Sequence, residues 1–178
     1  MYGVVLLLPE KYNQIIQMMY DEWVQDLGVD LRPQPSLPHV SIHIAEKYDA
    51  AALRPIMAEV AAAMPPLTLS TSGLGLFTGL EPVLHVAVTC GRDLLDFHAR
   101  LHARLNPLSQ GSNSYYQPGQ WMPHITLSQN PHLRGHLPHL INQLSQRDFS
   151  WQIPIRQLAY INKELTTHEV WDVGSAQV

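Results

Sequence analysis

The chain has 178 residues, 46% of them hydrophobic and 15% charged, and a formal net charge of −4. These values predict one globular domain, residues 1–178, with a sizeable core, and they exclude a disordered chain. The acidic balance excludes nucleic-acid binding through bulk phosphate neutralisation. Cys90 is the single cysteine, so no internal disulfide can form. With neither a leader pattern nor a long apolar run, the sequence predicts a cytoplasmic protein without a membrane partner.

The first half of the chain alternates strand and helix patterns. Short apolar runs between turn residues indicate strands, and apolar residues at helical spacing indicate helices. The predicted strands and helices alternate up to a final pair of strands, over residues 3–8, 11–27, 39–45, 49–64, 67–77 and 83–89. Asp49 is the expected N-cap of the second helix, and Pro65 and Pro66 end that helix.

The second half repeats this order. A helix is predicted over residues 94–105, and the aperiodic stretch 106–122 predicts a long loop, which in a compact domain is usually functional. A weaker helix over 132–144 is expected to be interrupted by Pro138. The last predicted strands lie within 149–161 and 169–173. The strand-helix-strand-helix order occurs twice, which indicates an internal duplication in pattern.

Two five-residue segments are nearly the same, Pro38-His39-Val40-Ser41-Ile42 and Pro123-His124-Ile125-Thr126-Leu127. In a strand, the histidine and the hydroxyl of each segment point to one face and the apolar residues to the other. Two such strands facing a cleft would supply two imidazoles and two hydroxyls, a set suited to an anionic phosphoester held between an acid and a base. A single strand histidine is more often a hydrogen-bonded core residue, but the matched pair with hydroxyls favours catalysis.

These segments resemble the two-histidine (2H) phosphoesterases, which include the 2′-5′ RNA ligase and RNA 2′,3′-cyclic phosphodiesterase group. The family signature is His-x-Thr/Ser-x, present twice and flanked by apolar residues. Residues 121–127 are similar to the second family motif, and residues 74–77 and 83–88 to its middle portion. The resemblance covers residues 1–173. It implies an α+β fold of two pseudo-symmetric lobes, with antiparallel sheets facing a central cleft and helices on the outside.

The resemblance also implies an activity, the metal-independent hydrolysis of a 2′,3′-cyclic phosphate to a 2′-phosphomonoester, with 2′-5′ linkages as a second class of substrate. His39 and His124 would share acid and base roles, and Ser41 and Thr126 would hold the phosphate. No cofactor or metal is expected. The expected partner is a nucleotide or an RNA terminus, and a monomer is expected. Which histidine is the acid, and whether ligation or hydrolysis is favoured, stays open.

Three further residues are predicted to contact substrate. His43 lies two positions beyond Ser41 and so on the same face of a regular strand. Tyr116 and Trp121, with Tyr115 beside them, are in or next to the long loop and could stack on a nucleobase. Packing of these aromatic residues onto the protein is an equally good interpretation.

Two other functions compete with catalysis. One is a nucleotide- or RNA-end-binding module that has the same cleft without turnover. The other is a histidine-rich metal protein, because two histidine pairs are four residues apart, His98 with His102 and His132 with His136. These pairs lack the zinc-hydrolase pattern, so exposed or amphipathic helix histidines are favoured. Two basic residues are candidates to bind a terminal phosphate, Arg134 and Lys163, but solvated side chains are favoured for both. The remaining histidines, His85, His139 and His168, are expected to be structural or solvated.

Overall fold

The computed structural model describes residues 1–33, 36–162 and 169–174. Its strands are β1 (Tyr2–Leu7), β2 (His39–Tyr48), β3 (Leu67–Phe77), β4 (Val83–Val88), β5 (Ser109–Ser112), β6 (His124–Ser128), β7 (Gln152–Ile155), β8 (Gln157–Asn162) and β9 (Glu169–Asp172). Its helices are α1 (Glu10–Leu27), α2 (Ala50–Ala63), α3 (Arg92–Leu105) and α4 (Leu133–Leu144).

The strands of the described ranges pair antiparallel in the order β7-β3-β4-β6-β2-β1-β8-β9, with β5 added beside β2. The two motif strands β2 and β6 are neighbours, with Val40 opposite Ile125. From this central pair the order is β1 then β8 on one side, and β4 then β3 on the other. The sheet therefore has two similar halves, which confirms the predicted α+β fold with two pseudo-symmetric lobes.

The helices cover one face of the sheet. The inward apolar residues of the motif strands, such as Val40 and Ile125, join a buried core with helix residues such as Trp23 and Leu101. Helices α1 and α4 lie next to each other, and the Gln143 side chain of α4 donates a hydrogen bond to Asp26 of α1 at 3.2 Å. Helix α2 packs against α3, β8 and β9. None of the helices in the described ranges has the length and hydropathy of a membrane span.

Local sequence signals explain where the helices begin and end. The buried residues of α1 recur at helical spacing, from Tyr12 to Trp23, and the helix ends at Gly28, whose φ of 65° suits a residue without a β-carbon. Asp49 caps α2 as predicted, accepting hydrogen bonds from the backbone N–H groups of Ala51 and Ala52 at 3.1 and 3.2 Å.

The structure corrects the predicted elements at three places. The stretch 106–122 is not all loop, because β5 pairs with the far end of β2 between two 3-10 turns. Helix α4 continues through Pro138, which is exposed, while Leu133 and Leu140 on either side are buried. Residues 149–161 form two strands that separate at Arg156.

Candidate active site

The face of the sheet opposite the helices forms a cleft of about 720 Å³. All four residues of the paired motifs line it: His39, Ser41, His124 and Thr126. A second cavity of about 790 Å³ lies along α1, but the described part of its lining contains no histidine. The cleft is therefore the candidate active site.

The register between β2 and β6 sets the pattern of groups on the cleft floor. Because Val40 pairs antiparallel with Ile125, His39 lies across from Thr126, and Ser41 lies across from His124. Each imidazole therefore faces a hydroxyl residue of the other motif. A phosphate placed between the strands would meet groups from both.

The two motif histidines make the same local hydrogen bond. Nδ1 of His39 donates to the Leu37 carbonyl at 2.6 Å, and Nδ1 of His124 donates to the Met122 carbonyl at 2.8 Å. A carbonyl can only accept, so each neutral ring carries its proton on Nδ1 and leaves Nε2 as the basic nitrogen. Both rings are thus prepared for proton transfer at Nε2.

Burial lowers the pKa of both histidines, because desolvation penalises the charged imidazolium. The Leu37 and Met122 carbonyls oppose this shift, since they favour a protonated donor. The positive charge of His124 lowers the pKa of His39 further. A proton on His124 therefore disfavours a second proton on His39, so the pair favours one acid and one base.

Tyr116 and Trp121 support the Ser41 side of the cleft. Trp121 Nε1 donates to the Ser41 carbonyl at 2.9 Å. Burial raises the pKa of Tyr116, and a side-chain hydrogen bond with Ser41 partly offsets that rise. The Trp121 ring is only 6% exposed and stacks on His98, with centroids 4.0 Å apart and planes at 6°. Tyr115, which also lines the cleft, is 76% exposed.

The prediction that His43 shares the cleft face is wrong. Val5 pairs with Ser41 and Val4 with His43, so Ile42 is an extra residue in β2, a β-bulge. The bulge breaks strict alternation and turns His43 toward α3, where it is 1% exposed and lies 5.0 Å from the His102 ring. Its Nδ1 is 2.5 Å from the Tyr48 hydroxyl.

Of the two interpretations of the histidine pair on α3, exposed or amphipathic, the structure favours the amphipathic one. His98 is 1% exposed, because its ring lies under Trp121, and its Nε2 donates to the Tyr116 carbonyl at 3.0 Å. His132 is exposed, as expected. Across the described ranges, no three His, Cys, Asp or Glu side chains converge as a metal site would require.

Arg134 and Lys163 are the two basic residues considered for binding a terminal phosphate. Arg134 donates to the Gly79 and Leu80 carbonyls and so supports the turn between β3 and β4. Lys163 lies outside the described residues, as does His168.

One buried histidine next to the motifs was not predicted as part of the site. His85 on β4 pairs with Thr126, and its ring centroid is 5.1 Å from that of His124. The only sequence pattern that could have indicated His85 is the alternation of strand β4, which puts His85 on the face opposite buried Leu84 and Val86. That signal has meaning only once β4 is known to lie beside β6.

Comparisons with known proteins agree with this geometry. The sequence matches the profile of the 2′-5′ RNA ligase superfamily over residues 16–166. A comparison with curated protein sequences finds no significant match.

Solved structures show the same fold at low sequence identity. The structure is similar to the protein TT0787 of Thermus thermophilus, at 16% identity, a TM-score of 0.64 and coverage of 99% of both chains. It is also similar to Kluyveromyces marxianus Usb1, at 15% identity, a TM-score of 0.56 and coverage of 97% of both chains. E. coli LigT, solved with ATP, has 14% identity and a TM-score of 0.56, with 97% of this chain and 96% of LigT covered. By its profile match, its fold and its paired motifs, the chain belongs to the 2′-5′ RNA ligase superfamily of two-histidine phosphoesterases.

Proposed function

We propose that this protein is a metal-independent phosphodiesterase that hydrolyses a 2′,3′-cyclic phosphate, at an RNA end or on a nucleotide, to a 2′-phosphomonoester. Phosphodiester 2′-5′ linkages are a second class of substrate. The observation that carries the proposal is the single cleft lined by His39, Ser41, His124 and Thr126. Membership of a phosphoesterase superfamily supports the same reaction class.

The proposed reaction uses one motif histidine as base and the other as acid. We assign the base role to His39, whose pKa is lowered by burial and by the charge of His124; it takes a proton from water at Nε2. The water oxygen bonds to phosphorus, and the bond from phosphorus to the 3′ oxygen breaks. Protonated His124 gives its Nε2 proton to the departing 3′ oxygen. The product carries a 2′-phosphate and a 3′-hydroxyl.

The two hydroxyls hold the nonbridging oxygens of the phosphate. Ser41 and Thr126 lie on opposite motif strands, so together they can donate to both sides of one phosphoryl group. Donors fixed on β-strands need little reorganisation as charge moves to these oxygens. The hydroxyls therefore lower the barrier by positioning and by charge stabilisation.

The nucleoside portion would occupy the part of the cleft formed by residues 113–122. Exposed Tyr115 is the residue best placed to stack on a base, with Tyr116 and Trp121 forming the wall behind it. Structures of two fold relatives contain nucleotides, namely LigT with ATP or NADP+ and Usb1 with uridine monophosphate. Those ligands support a nucleotide or an RNA end as the substrate here.

The proposal is tested with mononucleoside 2′,3′-cyclic phosphates and 2′-5′ dinucleotides, assayed in excess chelator with product analysis. We expect a 2′-monophosphate product. His39→Ala and His124→Ala should lose most of the activity, and His139→Ala, a change at an exposed α4 histidine, should be as active as the wild-type protein. Binding of these nucleotides without turnover would select the binding module instead. Activity that chelator removes and zinc restores would select a metal enzyme.

A further inference from the structure

His85 is part of the wall that holds His124. Its ring stacks on Phe77 with centroids 4.2 Å apart, and Phe77 meets His124 edge to face at 4.9 Å. With the 5.1 Å separation between His85 and His124, the three rings form a closed triangle. Ala87, the β4 residue opposite His124, is small and leaves room for these rings.

His85 is locked in place by the same local device as the motif histidines. Its Nδ1 donates to the carbonyl two residues earlier, Val83, at 3.3 Å, just as His39 donates to Leu37 and His124 to Met122. The ring is 6% exposed. A buried ring held by both stacking and a hydrogen bond has one orientation, so it can transmit that orientation to a neighbour.

Gly75 on β3 makes the space that His85 occupies. The two residues pair across the strands, and a β-carbon built on Gly75 would collide with Nε2 and Cε1 of the imidazole. The φ of Gly75 is not positive, so alanine at this position would be excluded by the His85 ring rather than by the backbone. The His85 ring can therefore lie flat over β3 only because residue 75 has no β-carbon.

We propose that His85 is a positioning residue for His124, and that the Gly75 cradle and the Phe77 stack hold the His85 ring in the orientation that keeps the His124 imidazole aligned for proton transfer. Phe77 and His124 line the cleft and His85 lies behind them, so His85 acts through His124 rather than on the substrate. The inference rests on the proposed phosphodiesterase function, since alignment of His124 matters only if His124 transfers a proton.

The test compares two substitutions of similar volume. His85→Leu fills the space without an aromatic ring, and His85→Phe restores the ring. We expect His85→Leu to lower kcat roughly ten- to a hundredfold, as small misplacements of catalytic groups do. KM should stay within about twofold, because only the transition-state interaction is lost. His85→Phe should recover most of the lost kcat. A leucine variant with wild-type kcat, or leucine and phenylalanine variants with equal kcat, would overturn the proposal.

Gly75→Ala provides an independent route to the same effect. It should displace the His85 ring and lower kcat as His85→Leu does, whereas Gly135→Ala on α4, where a β-carbon meets open space, should leave kcat unchanged. Wild-type kcat in Gly75→Ala would contradict the proposed cradle.

A substrate-free measurement separates this proposal from the proposed function. The NMR signals of the His124 ring protons should shift in His85→Leu and in Gly75→Ala, and should stay in place in Gly135→Ala. Unmoved signals in His85→Leu overturn the positioning role, whatever the activity. Wild-type protein that hydrolyses none of the substrates, while the ring signals do shift, overturns the phosphodiesterase function and leaves the ring contact established.

Discussion

The two halves of the cleft present the same groups but support them differently. His124 rests against the aromatic rings of Phe77 and His85. On the other half, Ser41 is supported through hydrogen bonds, from Trp121 to its carbonyl and between its side chain and Tyr116. The bonds that fix the imidazoles, by contrast, are the same in both halves. The shared feature is therefore the local motif, and the divergent feature is what packs behind it.

The two histidines are coupled through charge. The positive charge of His124 lowers the pKa of His39, and because this repulsion is mutual, the pair favours a single proton. The supporting contacts also differ in type, since aromatic rings pack against the His124 side chain, whereas hydrogen bonds hold the carbonyl and the side chain of Ser41. Substitutions at equivalent positions in the two halves should thus give related but unequal effects.

The largest expected effect is the loss of either motif histidine. His39→Ala and His124→Ala should each lower kcat by about 10²–10⁴-fold, because general acid-base catalysis contributes that much. The double variant should be little slower than the slower single variant, since the two act as one unit. Steady-state kinetics at neutral pH measure this, with His139→Ala as the control. Additive losses in the double variant would show that the histidines act independently.

Loss of the Ser41 or Thr126 hydroxyl should give the second-largest decrease in kcat. Ser41→Ala and Thr126→Val should each lower kcat by about 10²-fold, because each removes one of the two proposed donors to the phosphoryl oxygens. Thr126→Ser retains the hydroxyl, makes the second motif like the first, and should keep most of the activity. If Thr126→Ser is as slow as Thr126→Val, the methyl group rather than the hydroxyl is what the site requires.

His43, His98 and His102 form a histidine cluster behind Ser41, and this cluster should make the free energy of unfolding depend on pH. Burial, with the charges of His102 and His98, lowers the pKa of His43 to about 4, against about 6.5 in an unfolded chain. Between these values the unfolded state binds the proton and the folded state does not, so the free energy of unfolding falls as pH decreases from about 6.5 to about 4. This residue contributes on the order of 3 kcal/mol to that fall.

Urea unfolding at several pH values across this window measures the effect. His43→Gln should flatten the pH dependence relative to the wild-type protein, while His139→Ala should not change it. The remaining buried histidines with a lowered pKa act in the same direction, so some dependence persists in His43→Gln. A wild-type slope in His43→Gln would mean that His43 is already protonated in the folded protein.

The smallest expected effect comes from the hydrogen bond behind Ser41. Trp121→Phe removes the donor to the Ser41 carbonyl and should cost about 1 kcal/mol of stability. It should also lower kcat, because the Ser41 backbone loses a support. Trp151→Phe is the matched control, since its Nε1 donates to the Asp148 carbonyl away from the cleft. Equal kcat in the two variants would show that the Trp121 hydrogen bond does not support the site.

The parts predicted from sequence were those with strong local signals. Helix α1 has a regular buried stripe, α2 has its Asp49 cap, and the two motif strands repeat each other. These features depend on nearest neighbours in the chain, so periodicity and spacing are enough to find them. The α+β fold then followed from the family resemblance.

The missed features depend on neighbours that are distant in sequence. The polar strand β5 lacks an apolar alternation, because it adds to β2 through its backbone. The bulge at Ile42 is visible only in the pairing of β2 with β1, so strict strand alternation predicts the wrong face for His43. His85 gains its significance from β6, which follows it by a helix and a long connection. Propensity and motif spacing contain no information about such cross-strand partners.

In the proposed function, His39 and His124 act together in one metal-independent reaction. Its most direct test follows a mononucleoside 2′,3′-cyclic phosphate by ³¹P NMR in excess chelator, with the wild-type protein, His39→Ala and His124→Ala in parallel. We expect the cyclic-phosphate signal to be replaced by that of the 2′-monoester with the wild-type protein and to persist with both variants. Conversion at the wild-type rate by either folded variant would contradict the account.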